Sequence, residues 1–286
     1  FVQAFTKPGD GVIIQKPVYF PFEECIQDND RRLVNNELIE KEGYYTIDFE
    51  DLEEKAARPE NKMLLLCSPH NPVCRAWTEE ELRRVIDICS RNDIYLIADE
   101  IHMDFVFKAE HVPVGTLTNY SKLAVCTSPS KTFNMAGLKM ANIFIPDEAM
   151  RKEFTRRSKS QCGIIPNNPV SITGISAAYA KGDKWLDEVK QYIWENFQFV
   201  DAYLKEYMPK LKMTKPEATY LAWIDFSGVG LSGLKLRSFL RGKARVALDE
   251  GMVFGKSGEN FARINVATDR TVVRECLDRI RDNLAR

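Results

Sequence analysis

The chain has 286 residues, 44% hydrophobic and 28% charged, and a net charge of −1. This is ordinary globular composition, long enough for a large core and two domains. The balanced charge gives no reason to expect a nucleic acid or an anionic membrane as partner; no apolar run approaches membrane-spanning length, and no signal-peptide pattern opens the sequence.

The seven cysteines, Cys25, Cys67, Cys74, Cys89, Cys126, Cys162 and Cys276, are odd in number and irregularly spaced. That pattern predicts free thiols in a reducing cytosol, hence a cytoplasmic protein. Cys67, His70 and Cys74 are close in sequence, but a fourth ligand at suitable spacing is missing, so no metal is expected.

Phe1-Val2-Gln3-Ala4-Phe5 reads as the last turns of an amphipathic helix, stopped by Lys7-Pro8-Gly9-Asp10. With no start methionine and no N-cap, the sequence is expected to begin inside a domain. Val12-Ile13-Ile14 is a short strand. Pro17-Val18-Tyr19-Phe20-Pro21-Phe22 follows it, placing Tyr19 just past a strand end. There its ring either stacks on a flat ligand or packs at a domain seam; its own residue type does not decide. Another strand is expected over Arg31 to Ile39, then a loop or strand edge from Tyr44 to Ile47. Asp48 is placed to cap a helix through Leu52 to Ala57.

Met63-Leu64-Leu65-Leu66-Cys67 is continuously apolar, as a strand buried on both faces should be. It ends in Ser68-Pro69-His70-Asn71-Pro72-Val73-Cys74. Thr78-Glu79-Glu80-Glu81 is a capping box opening a helix whose inner face carries Leu82, Val85, Ile86 and Cys89. Ile94 to Ala98 is the next strand and ends in Asp99-Glu100-Ile101-His102. Lys122 to Thr127 is another, followed by Ser128-Pro129-Ser130-Lys131-Thr132-Phe133-Asn134-Met135-Ala136-Gly137-Leu138-Lys139, then by a strand from Met140 to Ile145. Alternating strands and helices predict an α/β fold, a mostly parallel sheet with helices on both faces. Ligands of such sheets bind at the carboxyl ends of the strands. Asn71, Asp99, Ser128 and Lys131 all fall there, from three strands.

Met150 to Gln161 reads as a basic helix on the solvent side, Gly163 to Pro169 as a turn-rich connection, and Val170 to Ala180 as a helix. Trp185 to Tyr207 is a long helix with Val189, Ile193, Phe197, Val200 and Leu204 on one stripe. It is read as the connector from a large cofactor-binding domain (1–184) into a smaller α+β C-terminal domain (185–286). Ala218 to Phe226 is a strand there. Gly228 to Gly233 then matches G-x-G-x-x-G, with Asp249 some twenty residues on, but too few strands follow for a dinucleotide fold. Arg263, between alternating Ile264 and Val266, offers a fork suited to an α-carboxylate rather than to a surface ion pair. Thr271 to Leu284 is the last helix.

The chemistry centres on Lys131. An amine at the end of a buried strand, partly desolvated, is a nucleophile that condenses with aldehydes. Ser128, Ser130 and Lys139 are placed to face an anion such as a phosphate monoester. Together they point to an aldehyde cofactor carrying a phosphate, pyridoxal 5′-phosphate. Asp99 would then pair with the pyridine nitrogen, or else cap the segment after it. Asn71 and His102 would donate to the phenolic oxygen, unless His102 is a satisfied core histidine.

Four stretches carry a family resemblance: Ser68-Pro69-His70-Asn71-Pro72, Asp99-Glu100-Ile101-His102, Ser128-Pro129-Ser130-Lys131-Thr132-Phe133-Asn134, and Phe261-Ala262-Arg263-Ile264-Asn265-Val266-Ala267. In this order the chain resembles the fold-type I pyridoxal-phosphate enzymes of the aminotransferase class I/II superfamily. His102 stands where most aminotransferases carry tyrosine, and Lys139 where they usually carry arginine. With Pro17 to Phe22 and Asn134 to Lys139, these features are similar to the cystathionine β-lyase group of the MalY/PatB type. The resemblance implies α,β-elimination from a sulfur amino acid, giving a thiol, pyruvate and ammonia, in a homodimer whose active sites lie near the subunit interface. It also implies a phosphate-binding loop and an N-terminal arm upstream of Phe1, and a glycine where Cys74 stands. An aminotransferase using the same groups, and a non-catalytic regulatory protein on the same fold, remain the alternatives.

Overall fold

The computed structural model describes residues 1–163 and 168–284. Its strands, in chain order, are β1 (Gly11–Ile14), β2 (Arg32–Asn35), β3 (Ile39–Lys41), β4 (Tyr44–Thr46), β5 (Asn61–Cys67), β6 (Tyr95–Asp99), β7 (Leu123–Thr127), β8 (Asn142–Phe144), β9 (Lys212–Met213), β10 (Leu221–Asp225), β11 (Asp249–Glu250) and β12 (Phe261–Asn265). Six form the main sheet in the order β2-β1-β5-β6-β7-β8, parallel except for β8, which runs against β7.

The period of two along these strands explains the layering. Ile13, Leu64, Leu66, Leu96, Ala98, Leu123 and Val125 face one way, against the helices Phe49–Ala56 and Glu79–Arg91. Val12, Ile14, Met63, Leu65, Ile97 and Ala124 face the other, against Ile26 of helix Pro21–Gln27 and Met150 of helix Glu148–Cys162. Both faces are therefore apolar, and the strands read as unbroken hydrophobic runs.

The capping box at Thr78 forms as expected: Glu81 N–H donates to the Thr78 hydroxyl at 3.2 Å, and Thr78 N–H to the Glu81 carboxylate at 2.8 Å. Asp48 caps its helix through Asp51 N–H at 3.1 Å. The strand expected from Arg31 to Ile39 is instead two, β2 and β3. Asn35 and Asn36 end the first by turning their side chains onto partners far along the chain: Asn35 Oδ1 accepts from Lys16 N–H at 3.0 Å and Asn36 Nδ2 donates to Asp48 O at 2.9 Å. β8 is only three residues long, shorter than expected.

A second sheet, β11-β12-β10-β9, is antiparallel. It packs with the helix Asp183–Tyr207 and the last helix, Arg270–Leu284, around Phe197, Val200, Leu204, Ile224, Ile264 and Leu277. The glycine-rich stretch at 228–233 follows antiparallel β10 and leads into a helix of six residues, not into a crossover back to a parallel strand. Trp223, Phe254 and Phe261 of this part pack with the main-sheet core. Residues 164–167 of the turn-rich connection lie outside the described residues; Asn168 caps the next helix, Pro169–Lys181, through Ser171 N–H at 2.9 Å.

Candidate active site

The carboxyl ends of β5, β6 and β7 converge, and parallel register places Cys67 beside Asp99 and Asp99 beside Cys126. Asp99 closes β6 in part-buried surroundings. Burial pushes its carboxyl up from 3.8 to about 6, against the pull of the Ile101 N–H, which donates to Oδ1 at 3.1 Å, and of the Lys131 charge. The Lys131 charge, past the end of the neighbouring strand β7, is therefore felt at Asp99.

Lys131 is not in a loop. It sits in a one-turn helix, Pro129–Thr132, capped by the Ser128 hydroxyl, which accepts from Ser130 N–H at 3.1 Å. The Ser128 hydroxyl donates to Met140 O at 2.6 Å and lies 2.8 Å from the Ser130 hydroxyl. Both serines therefore stand at the base of the turn that presents Lys131. Lys139 lies past them, exposed, with a left-handed backbone (φ 49°).

His102 is buried, and its Nδ1 is a buried nitrogen without a hydrogen-bond partner in the protein. Burial, then the nearby Lys131 and Arg263 charges, push its pKa down to about 3, so it is neutral at physiological pH. Its ring meets Tyr220 edge-on at 5.3 Å. Asn71, buried in the turn after β5, accepts a hydrogen bond through Oδ1 from Arg263 Nη1 at 2.8 Å, so the two sheets meet at this bond. Arg263 also donates from Nε (3.2 Å) and Nη2 (2.6 Å) to Asp249, and its guanidinium lies 4.8 Å from the Phe254 ring. Tyr19 is part-exposed and packs edge-on to Phe22 at 6.1 Å.

Asp99 and His102, at the end of β6, and Lys131, past the adjacent β7, thus lie at one edge of the sheet, where the Lys131 charge acts on both and the Arg263 charge on His102; Asn71 and Arg263 are in direct contact. The thiol of Cys67 donates to Pro69 O at 3.4 Å and that of Cys74 to Leu221 O at 2.7 Å, while His70 Nε2 contacts Pro17 O at 2.9 Å. These groups serve the backbone, and no group of three metal-ligating side chains is found among the described residues. Cys74 has φ 63°, a conformation glycine adopts without strain, and its thiol fills the space against β10.

Residue pattern alone does not reveal three further features. Tyr220 against His102 has no local signature. Asp104 accepts from the Thr132 hydroxyl at 2.6 Å, spanning 28 residues. Arg75, buried, donates to Glu217 at 2.8 Å and to Glu81 at 2.8 Å; its place directly after the Asn71 turn was the one available signal.

A pyridoxal phosphate site requires an amine for the aldehyde, an anion for the ring nitrogen, a donor for the phenolic oxygen and polar groups for the phosphate. Lys131, Asp99, the unpartnered His102 nitrogen, and the Ser128 and Ser130 hydroxyls fit that list. The fold and these groups define a fold-type I pyridoxal-phosphate enzyme. The chain belongs to the aminotransferase class I and II family, whose model matches residues 1–280. Among curated proteins it is 41% identical over 287 residues to the cystathionine beta-lyase PatB of Bacillus subtilis, covering 99% of this chain and 74% of that protein. It is 31% identical to protein MalY of Escherichia coli over 94% of this chain and 69% of the other. Cystalysin from Treponema denticola, whose crystal structure contains pyridoxal 5′-phosphate, superposes with a TM-score of 0.97 at 39% identity, covering 99% of this chain and 73% of that one.

Proposed function

We propose that the chain is a pyridoxal-phosphate-dependent carbon–sulfur lyase that cleaves cystathionine or a related cysteine S-conjugate by α,β-elimination. The observation that carries the reading is the placing of Asp99 and His102 at the end of β6 and of Lys131 just past the neighbouring β7, with Arg263 held against Asn71 past the end of β5. The cystathionine β-lyase relatives support the reaction type.

The cofactor, when bound, supplies a protonated ring that accepts the electron pair left as the substrate's Cα–H bond breaks. Lys131 would be the residue that holds the cofactor, through Nζ, and once released from it the same nitrogen would be free to take the substrate's Cα proton. Asp99 would hold the cofactor's ring nitrogen, an anion there keeping that nitrogen protonated. Neutral His102 and the Asn71 amide would donate to its phenolic oxygen. Ser128, Ser130 and Lys139 would hold its phosphate, and Tyr19 would pack on its ring. Arg263 grips the α-carboxylate through its planar fork, exchanging the exposed Asp249 carboxylate for that of the substrate. With the proton gone, the β-carbon releases the thiolate, and water completes conversion to pyruvate and ammonia.

We propose in addition a homodimer, supported by the resemblance set out above; a cytoplasmic location, supported by the free-thiol cysteine pattern; and a division into a large cofactor-binding domain (1–184) and a small C-terminal domain (185–286), supported by the separate antiparallel sheet, whose core is drawn mostly from residues beyond 184. No helix among the described residues is long and apolar enough to cross a membrane. The deciding assay is pyruvate release from cystathionine with no keto acid added. Release supports the lyase; strict dependence on a keto acid identifies an aminotransferase and overturns it.

A further inference from the structure

The segment that presents Lys131 is a single helical turn of four residues, Pro129–Thr132. One turn does not hold its own orientation in water, since nucleating a helix is unfavourable and the gain comes only with length. The direction of the Lys131 side chain must therefore be imposed from outside. At the front of the turn the Ser128 cap and its bond to Met140 O fix the entry. At the back, directly after Lys131, the Thr132 side chain is buried to within 1% of its surface. Its hydroxyl donates to Asp104 Oδ2 at 2.6 Å.

Asp104 belongs to the turn that follows β6. There Met103 N–H bonds Glu100 O at 2.9 Å and Phe105 N–H bonds His102 O at 3.0 Å, so the residues on either side of Asp104 are tied back to the segment that carries Asp99 and His102. The Thr132–Asp104 bond is thus a strut between the element carrying the amine and the element carrying its two electrostatic partners. A hydroxyl donating to a carboxylate is a charge-assisted bond, stronger than a neutral one. Phe133, next in sequence, is wedged beside it: its ring meets Tyr179 edge-on at 5.4 Å, and a methyl group on Gly182 would lie 2.5 Å from it. The wedge packs against Tyr179 and Trp185, on two helices. The strut reaches the turn after β6.

We propose that Asp104, acting through Thr132, is a positioning residue that holds the Lys131 amine in register with Asp99 and His102. The inference rests on the reading of Lys131 as the cofactor-bearing amine. Asp104 itself acts on the amine only through the hydroxyl.

The test is a set of variants of the cofactor-loaded protein: Thr132→Val, Thr132→Ser, Asp104→Ala, and Thr132→Val with Asp104→Ala. Valine keeps the shape of threonine and removes the donor; serine restores the donor. Borohydride fixation to Lys131, read by peptide mass, first establishes in every variant that the amine still carries the cofactor. Its absence from Lys131 in the unmutated protein overturns the underlying reading, not the strut. Given fixation, Thr132→Val is expected to lower kcat by about 10- to 100-fold, the loss that a misplacement near 1 Å brings. KM should stay within about 2-fold, since Arg263 still holds the carboxylate. Visible circular dichroism of the bound cofactor, which reports the asymmetry of its setting, should weaken in the valine variant and recover with serine. The double variant should be no worse than either single one, because both break the same bond. Unchanged kcat and dichroism in Thr132→Val, failure of serine to restore them, or losses that multiply in the double variant would each overturn the proposal.

Discussion

Replacing Asp99 by asparagine should stabilise the cofactor-free chain at neutral pH while weakening its hold on the cofactor. Burial raises the Asp99 pKa from 3.8 to about 6, so the folded chain binds this proton more tightly than the unfolded chain does. Stability then falls as pH rises from about 4 to about 6 and stays lowered above that range. At about 1.4 kcal/mol per pH unit, the shift amounts to about 3 kcal/mol against the folded state at pH 8. Asparagine carries no charge and keeps an acceptor for the Ile101 N–H, now 3.1 Å from Oδ1. Urea denaturation of cofactor-stripped protein should therefore find Asp99→Asn more stable by about 3 kcal/mol at pH 8 and by less than about 1 kcal/mol at pH 4. Other titrating groups are common to both proteins and cancel in the difference. The same variant should release cofactor faster on dialysis, since the pyridine nitrogen loses its anionic partner. An advantage of equal size at both pH values, or a variant less stable at pH 8, would refute the reasoning.

Arg263→Lys exchanges a planar fork for a single ammonium; kcat/KM should fall by about 100-fold, largely through KM, in a steady-state assay. Asp249→Asn removes the carboxylate that already occupies two Arg263 donors, so KM should drop, and a raised KM would show that Asp249 orients Arg263 rather than competing with substrate. Glu217→Ala strips the buried Arg75 of one carboxylate and Ala76 N–H of its acceptor, leaving Arg75 its bonds to Glu81; denaturation should show a loss of about 3 kcal/mol. In the native protein, a thiol reagent should label exposed Cys25 promptly and spare Cys67, Cys74 and Cys89, whose burial raises their pKa, until urea unfolds the chain.

Much of the fold was legible because its signals are local. Two-sided burial makes Met63 to Cys67 uniformly apolar, and the Thr78 capping box announces the helix that returns the chain. The strand-end residues followed from topology: a parallel sheet gathers the carboxyl ends, so Asn71, Asp99 and Lys131 could be grouped before any distance was known. What local pattern did not contain was partnership across long separations. The Asn71–Arg263 bond spans 192 residues and Thr132–Asp104 spans 28, and neither has a spacing rule. The break between β2 and β3 was hidden because Asn35 and Asn36 end a strand through side-chain bonds to distant partners. Arg263 looked like a carboxylate-binding fork from its alternating neighbours, and its alternation within β12 is as expected, but its pairing with Asp249 depends on β11 lying alongside.

The central claim is that one amine, that of Lys131, carries the cofactor. Protein supplied with pyridoxal phosphate, reduced with borohydride and digested should yield a single pyridoxyl-modified peptide, the one containing Lys131, and Lys131→Ala should yield none and remain colourless. Modification at any other lysine, or a yellow Lys131→Ala protein that still releases pyruvate, would contradict the account.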